Sequence, residues 1–135
     1  MSSLLVRDVM ARHPFAITLG TGLDDVVESL VGHHLTGLPV IDTAGHVVGF
    51  VSEQDCLKAL LVSNYHAEGA PKVEDVMRRD LVTAQPGDAV VDIAEHMLHQ
   101  KPKVYPVLDD TGRLVGTLSR TQVLRAMMKN HQLAD

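Results

Sequence analysis

Apolar and polar positions along this chain follow two periods, and the periods recur in one order. Leu23, Val26, Val27, Leu30 and Val31 fall at i, i+3, i+4, i+7 and i+8, which predicts a helix with one buried stripe. Ahead of it, residues 5–11 read as a short amphipathic turn or helix and residues 15–18 as a short strand. Behind it, residues 38–41 form an apolar strand, Asp42-Thr43-Ala44-Gly45 a hairpin turn, and residues 47–51 the returning strand. Ser52 stands where an N-cap belongs, before a helix running to about Val62. The second half predicts a strand at 81–83, a turn at Pro86-Gly87-Asp88 with Asp88 as N-cap, and a helix over about 88–100. Strands at 104–108 and 114–118 then flank the turn Asp109-Asp110-Thr111-Gly112, and a helix covers about 119–130.

The two halves are copies. Val6-Arg7-Asp8-Val9-Met10 returns 67 residues later as Val73-Glu74-Asp75-Val76-Met77. At the same offset Pro39-Val40 and Asp42 match Pro106-Val107 and Asp109, and Gly45, Gly49 and Ser52 match Gly112, Gly116 and Ser119. Between these blocks Thr18 aligns best with Thr83, which implies a two-residue length change between strand and helix. The organisation expected is repeat 1 over 1–64, a linker over 65–72 and repeat 2 over 73–135. Each copy is a βαββα unit of about 60 residues, a size marginal for independent folding. We therefore expect an α/β (α+β) chain whose two sheets pack face to face with pseudo-two-fold symmetry.

Composition narrows the function. Of 135 residues, 45% are apolar and only 3% aromatic, so the core must be aliphatic and no base-stacking platform is present in the sequence. A net charge of -5 argues against a nucleic-acid surface but leaves room for a small anionic ligand held by local groups. The single Cys56 cannot form an intrachain disulfide or a CxxC metal site and suits a reducing compartment. No apolar run reaches the roughly 18 residues of a membrane span, and the polar start is unlike a secretory signal, so a cytoplasmic protein without membrane contact is expected.

The ordered set Asp-Val-Met, a strand with Thr, a helix, Leu38-Pro39-Val40-Ile41-Asp42, a turn Gly, and Val47-Val48-Gly49-Phe50-Val51-Ser52-Glu53-Gln54-Asp55 resembles the cystathionine-β-synthase (CBS) domain. Two such domains in tandem make a Bateman module, and the resemblance covers about residues 4–130. It implies a regulatory module, not an enzyme, that binds AMP, ADP, ATP or S-adenosylmethionine in clefts between the repeats. It also implies pairing into disc-like dimers; with no catalytic or transporter domain attached, the regulated target is expected to be an unidentified effector protein or to be absent.

The local motif is Ser52-Glu53-Gln54-Asp55 at a strand end. As bare chemistry it is an ordinary capping box, with a hydroxyl at N-cap and an acid at N3. The same carboxylate can accept two hydrogen bonds from a ribose diol while the hydroxyl and helix N-terminus meet a phosphate. In the second copy, Gln122 replaces Asp55, which removes the charge-assisted pair and makes the clefts unequal. The resemblance completes the first cleft, Ser52 with Asp55, from the other repeat: Leu81, Val82 and Thr83, then Lys103, Val104, Tyr105 and Pro106. There Leu81, Val82 and Val104 sandwich adenine and Lys103 faces phosphate. The second cleft takes Ser119, Arg120 and Gln122 with Ala16, Ile17, Thr18, Thr36, Gly37, Leu38 and Pro39. Taken by themselves, the valines are also ordinary core residues and Lys103 an ordinary surface lysine.

Other features carry less. His96 and His99, or His33 and His34, lack the third and fourth ligands of a metal site, so no metal is expected. Met127 and Met128 are expected in the core and at a dimer face, and Cys56 as a small buried residue. No nucleophile–base pair, phosphate-binding Gly-rich loop or zinc motif is present in the sequence, so neither an enzyme nor a catalytic cofactor is expected. The competing reading is a structural dimerisation or interaction module with degenerate or empty nucleotide clefts.

Overall fold

The computed structural model describes residues 4–62, 69–100 and 102–134, with side chains as far as 130. The first four residues of the expected linker, 65–68, lie outside them. In order the elements are α1 (Val6–Val9), β1 (Ile17–Thr18), α2 (Leu23–Gly32), β2 (Gly37–Ile41), β3 (Val47–Ser52), α3 (Glu53–Leu61), α4 (Val73–Val76), α5 (Val90–Met97), β4 (Val104–Leu108), β5 (Leu114–Ser119) and α6 (Arg120–Ala134). This is a mixed α+β chain with two small sheets.

The chain forms two compact units, and they exchange their opening segments. One unit is Phe15–Leu81; the other joins the segment ending at Pro14 to everything from Val82 onward. We call them the Asp55 unit and the Gln122 unit. The Asp55 unit holds a three-stranded sheet in the order β1-β2-β3, with β1 parallel and β3 antiparallel to β2. Its core is Ile17, Leu23, Val26, Leu30, Leu38, Val40, Val51, Cys56 and Val73. The Gln122 unit pairs β4 with β5 around Val6, Ala84, Val90, Ile93, Met97, Tyr105, Val107, Leu118 and Val123. Both cores are built from the apolar periods of the sequence, each fully buried Val, Leu, Ile or Met side chain contributing about 1.5–3 kcal/mol of transfer free energy.

The exchange has a local cause. Met77 and Arg78 follow α4 and run along the outer edge of β3, where Phe50 N–H donates to Arg78 O (2.9 Å) and Arg78 N–H to Phe50 O (2.8 Å). Gly49 lets this backbone approach, because a Cβ there would sit 2.9 Å from Arg78 O and inside the Met77 thioether. Ala11 and Thr117 make the same pair in the Gln122 unit, and a Cβ on Gly116 would sit 2.7 Å from Ala11 O. The repeated Asp-Val-Met segment thus extends a sheet edge that would otherwise be left unpaired. Its acid is a local brace: Asp8 and Asp75 accept the backbone N–H groups of Leu5 (3.1 Å) and Lys72 (2.9 Å).

Four expectations are corrected. Residues 81–83 form no strand; a single parallel bridge joins Ala84 to Val107. Ile17 pairs with Val40 in the other unit, so the offset remains 67 here and the two-residue length change is absent. Burial sets this register, since Ile17 and Ala84 both point into a core, whereas the threonines match only in identity. Asp88 does not cap α5. Its carboxylate accepts from Gln85 N–H (2.8 Å), which closes a turn, and the helix starts at Val90. Met127 and Met128 are exposed, because α6 turns Val123 inward and carries the methionines outside. Cys56 is buried as expected.

Candidate functional site

Strand β3 ends on Ser52, which pairs across the ladder with Gly37. The chain then turns into α3 as Glu53 N–H donates to Thr36 O (3.0 Å). Ser52 caps the helix, and both halves of the capping box are made. Asp55 N–H donates to Ser52 Oγ (3.2 Å), while Ser52 N–H and Oγ–H both donate to Asp55 Oδ2 (2.9 Å each). The other oxygen, Oδ1, accepts from Arg78 Nε at 3.2 Å. Asp55 keeps only 11% of its side-chain surface exposed and Arg78 52%, so a nearly buried carboxylate is closed off by a guanidinium at its rim.

The Gln122 unit repeats the frame without the charges. Ser119 N–H donates to Gln122 Oε1 (2.8 Å) and Gln122 N–H to Ser119 Oγ (3.1 Å). Arg120 N–H donates to Lys103 O (2.9 Å), as Glu53 does to Thr36. Ala11 stands where Arg78 stands in the other unit. The ends of these two helices therefore differ in sign: Glu53, Asp55 and Arg78 in one, Arg120 and Lys103 in the other.

Each unit gathers its own set of the sequence-selected residues. Ser52 and Asp55 stand with Thr36, Gly37, Leu38 and Pro39, and with Ile17 and Thr18 on the neighbouring strand β1. Ser119, Arg120 and Gln122 stand with Lys103, Val104, Tyr105 and Pro106. Leu81 closes the Asp55 unit; Val82 and Thr83 open the second part of the other. Tyr105 is fully buried, with its hydroxyl on His96 Nδ1 (3.0 Å), and burial pushes its pKa up, partly opposed by the charge of Arg120. Burial also raises the Cys56 thiol, helped by the charges of Asp55 and Glu53, which disfavours a thiolate nucleophile. Sequence reasoning missed Arg78. The signal was available, because Arg78 and Ala11 follow immediately after the repeated Met77 and Met10.

Residues 6–62 and 73–129 each match the CBS domain, and the chain belongs to the CBS domain family. The two matched stretches have equal length, in keeping with the constant offset of the structure. A CBS domain-containing protein of Dictyostelium discoideum is 30% identical over 135 aligned positions, which cover 93% of this chain and 92% of that protein. Among solved structures, CBSX2 in complex with AMP is similar at a TM-score of 0.84 and 31% identity, over 94% of this chain and 98% of that one; CBSX2 is a CBS-pair protein from Arabidopsis thaliana. The CBS domain pair of protein MJ0100 in complex with 5-methylthioadenosine and S-adenosyl-L-methionine is similar at 0.81 and 25% identity, over 96% and 99%. The chain spans only 23% of the length of a sulfurtransferase and an acetyltransferase that it matches.

Proposed function

We propose that this chain is a regulatory module that binds an adenine nucleotide or a related adenosyl ligand and reports its level to an effector protein. The observation that carries the reading is the Ser52–Asp55 box, a nearly buried carboxylate held by three donors at a helix N-terminus, in a CBS pair similar to structures that hold AMP or S-adenosylmethionine. Ser52 and Asp55 take the ribose. Leu81, Val82, Thr83 and the run Lys103, Val104, Tyr105, Pro106 are assigned to the same ligand, and Ser119, Arg120 and Gln122 with residues 16–18 and 37–39 to a second one. Signalling requires that the ligand bind two states of the module with different affinity. No catalytic role or cofactor is assigned, and the cytoplasm is the compartment in this reading.

A homodimer belongs to the proposal. Leu57, Leu60 and Leu61 on α3 are exposed, and so are Leu124, Met127 and Met128 at the equivalent positions of α6. Two apolar stripes with the same i, i+3, i+4 spacing suit a partner carrying the same duplicated pattern, a second copy of this chain.

Titration with AMP, ADP, ATP and S-adenosylmethionine tests the reading. At about 100 times Kd a ligand adds about 2.7 kcal/mol to stability, seen as a raised Tm. A flat Tm with all four at millimolar concentration contradicts it. The second reading, an interaction module with degenerate sites, is favoured at one end by Ala11 and Gln122, which leave that helix start without a carboxylate. Under it, Asp55→Ala alters dimer or partner binding and leaves no ligand response to lose.

A further inference from the structure

We propose that Arg78 is a specificity-determining residue: it makes the Asp55 site select adenosine ligands that carry a phosphate over adenosine itself and over cationic adenosyl ligands. The inference rests on the nucleotide reading of the Ser52–Asp55 box. A carboxylate has about four acceptor positions. Ser52 fills two on Oδ2 and Arg78 one on Oδ1, which leaves one. A ribose diol needs two, so Arg78 must leave Asp55 when the sugar binds.

The released guanidinium then lacks an anion. A phosphate on the same sugar supplies one and restores a charge-assisted, two-pronged pair. Adenosine supplies none, and a sulfonium adds a second cation beside it. Only the phosphorylated ligand completes the exchange. The other unit supports the coupling of the two residues: where Asp55 becomes Gln122, Arg78 becomes Ala11, so acid and base are present together or absent together. Arg78 is half exposed and its backbone, not its side chain, extends the sheet, so it is free to change partners.

The test is calorimetric titration of the full chain with AMP, adenosine and S-adenosylmethionine, for wild type, Arg78→Gln and Arg78→Lys. Wild type is expected to bind AMP at least about tenfold more tightly than adenosine or S-adenosylmethionine. In R78Q the AMP-to-adenosine ratio falls to within about threefold, with adenosine binding unchanged or improved because Asp55 is free. R78K keeps the charge and restores part of the preference, which a purely structural role of the side chain does not predict. An unchanged ratio in R78Q, or equal wild-type affinities for AMP and S-adenosylmethionine, overturns this inference and leaves the nucleotide reading standing. A wild-type chain that binds neither AMP nor adenosine overturns both. Should R78Q fail to fold, the R78K ratio decides: wild-type selectivity for AMP lost with the charge retained contradicts the proposal.

Discussion

The two units share one frame, apart from a first strand reduced to a single bridge in the Gln122 unit, and differ in charge at one helix start. Gly49 and Gly116, Asp42 and Asp109, and Ser52 and Ser119 hold equivalent places and make equivalent bonds. Arg78 with Asp55 in one unit faces Ala11 with Gln122 in the other. The turn aspartates, the close-packed glycines and the capping serines are the same in both units, whereas the charged residues around the helix start differ. The difference teaches that the cap and the ion pair are separable. Gln122 still caps its helix through Ser119, so capping alone does not require the charge of Asp55.

The largest effect should come from breaking the shared frame. Gly49→Ala and Gly116→Ala force a methyl against a paired carbonyl, and each should cost about 1–3 kcal/mol by chemical denaturation. Nearly equal losses keep the comparison; a tolerated substitution in one unit breaks it. A smaller effect separates cap from ion pair. Ser52→Ala and Ser119→Ala each remove a cap at about 1 kcal/mol. The loss should be greater at Ser52, whose hydroxyl also donates to the Asp55 carboxylate.

The smallest effect lies in the turns. The backbone N–H of His46, then that of Ala44, hold the Asp42 carboxyl below its usual range; Thr111 and the Arg113 backbone do so for Asp109. A folded-state pKa below the unfolded one contributes stability that is present above about pH 4 and lost as pH falls through the lowered value. The double variant Asp42→Asn, Asp109→Asn should therefore flatten the fall of Tm between about pH 4 and 2. Two single variants with equal effects sharpen the equivalence of the turns.

Much of this was legible in the sequence for a physical reason. The antiparallel hairpins follow from apolar runs bounded by Asp-led turns, and β4 falls on the residues expected. The Ser52 cap and its acid were equally plain, because both bonds are local. What escaped depends on contacts between distant residues. Threonine identity misplaced the second copy's first strand, where burial of Ala84 decides the register. The methionines of α6 looked like core because periodicity marks an apolar face without saying what covers it. Arg78 follows the repeated Met77 in the sequence, but its place at the site comes from its backbone pairing with Phe50, two residues before Ser52.

The most direct test is calorimetric titration of AMP into wild type, Asp55→Asn and Gln122→Ala. The account predicts that D55N weakens the tighter binding event by at least about tenfold, while Q122A changes it by less than about threefold. Equal losses in the two variants, or undiminished binding in D55N, would contradict it.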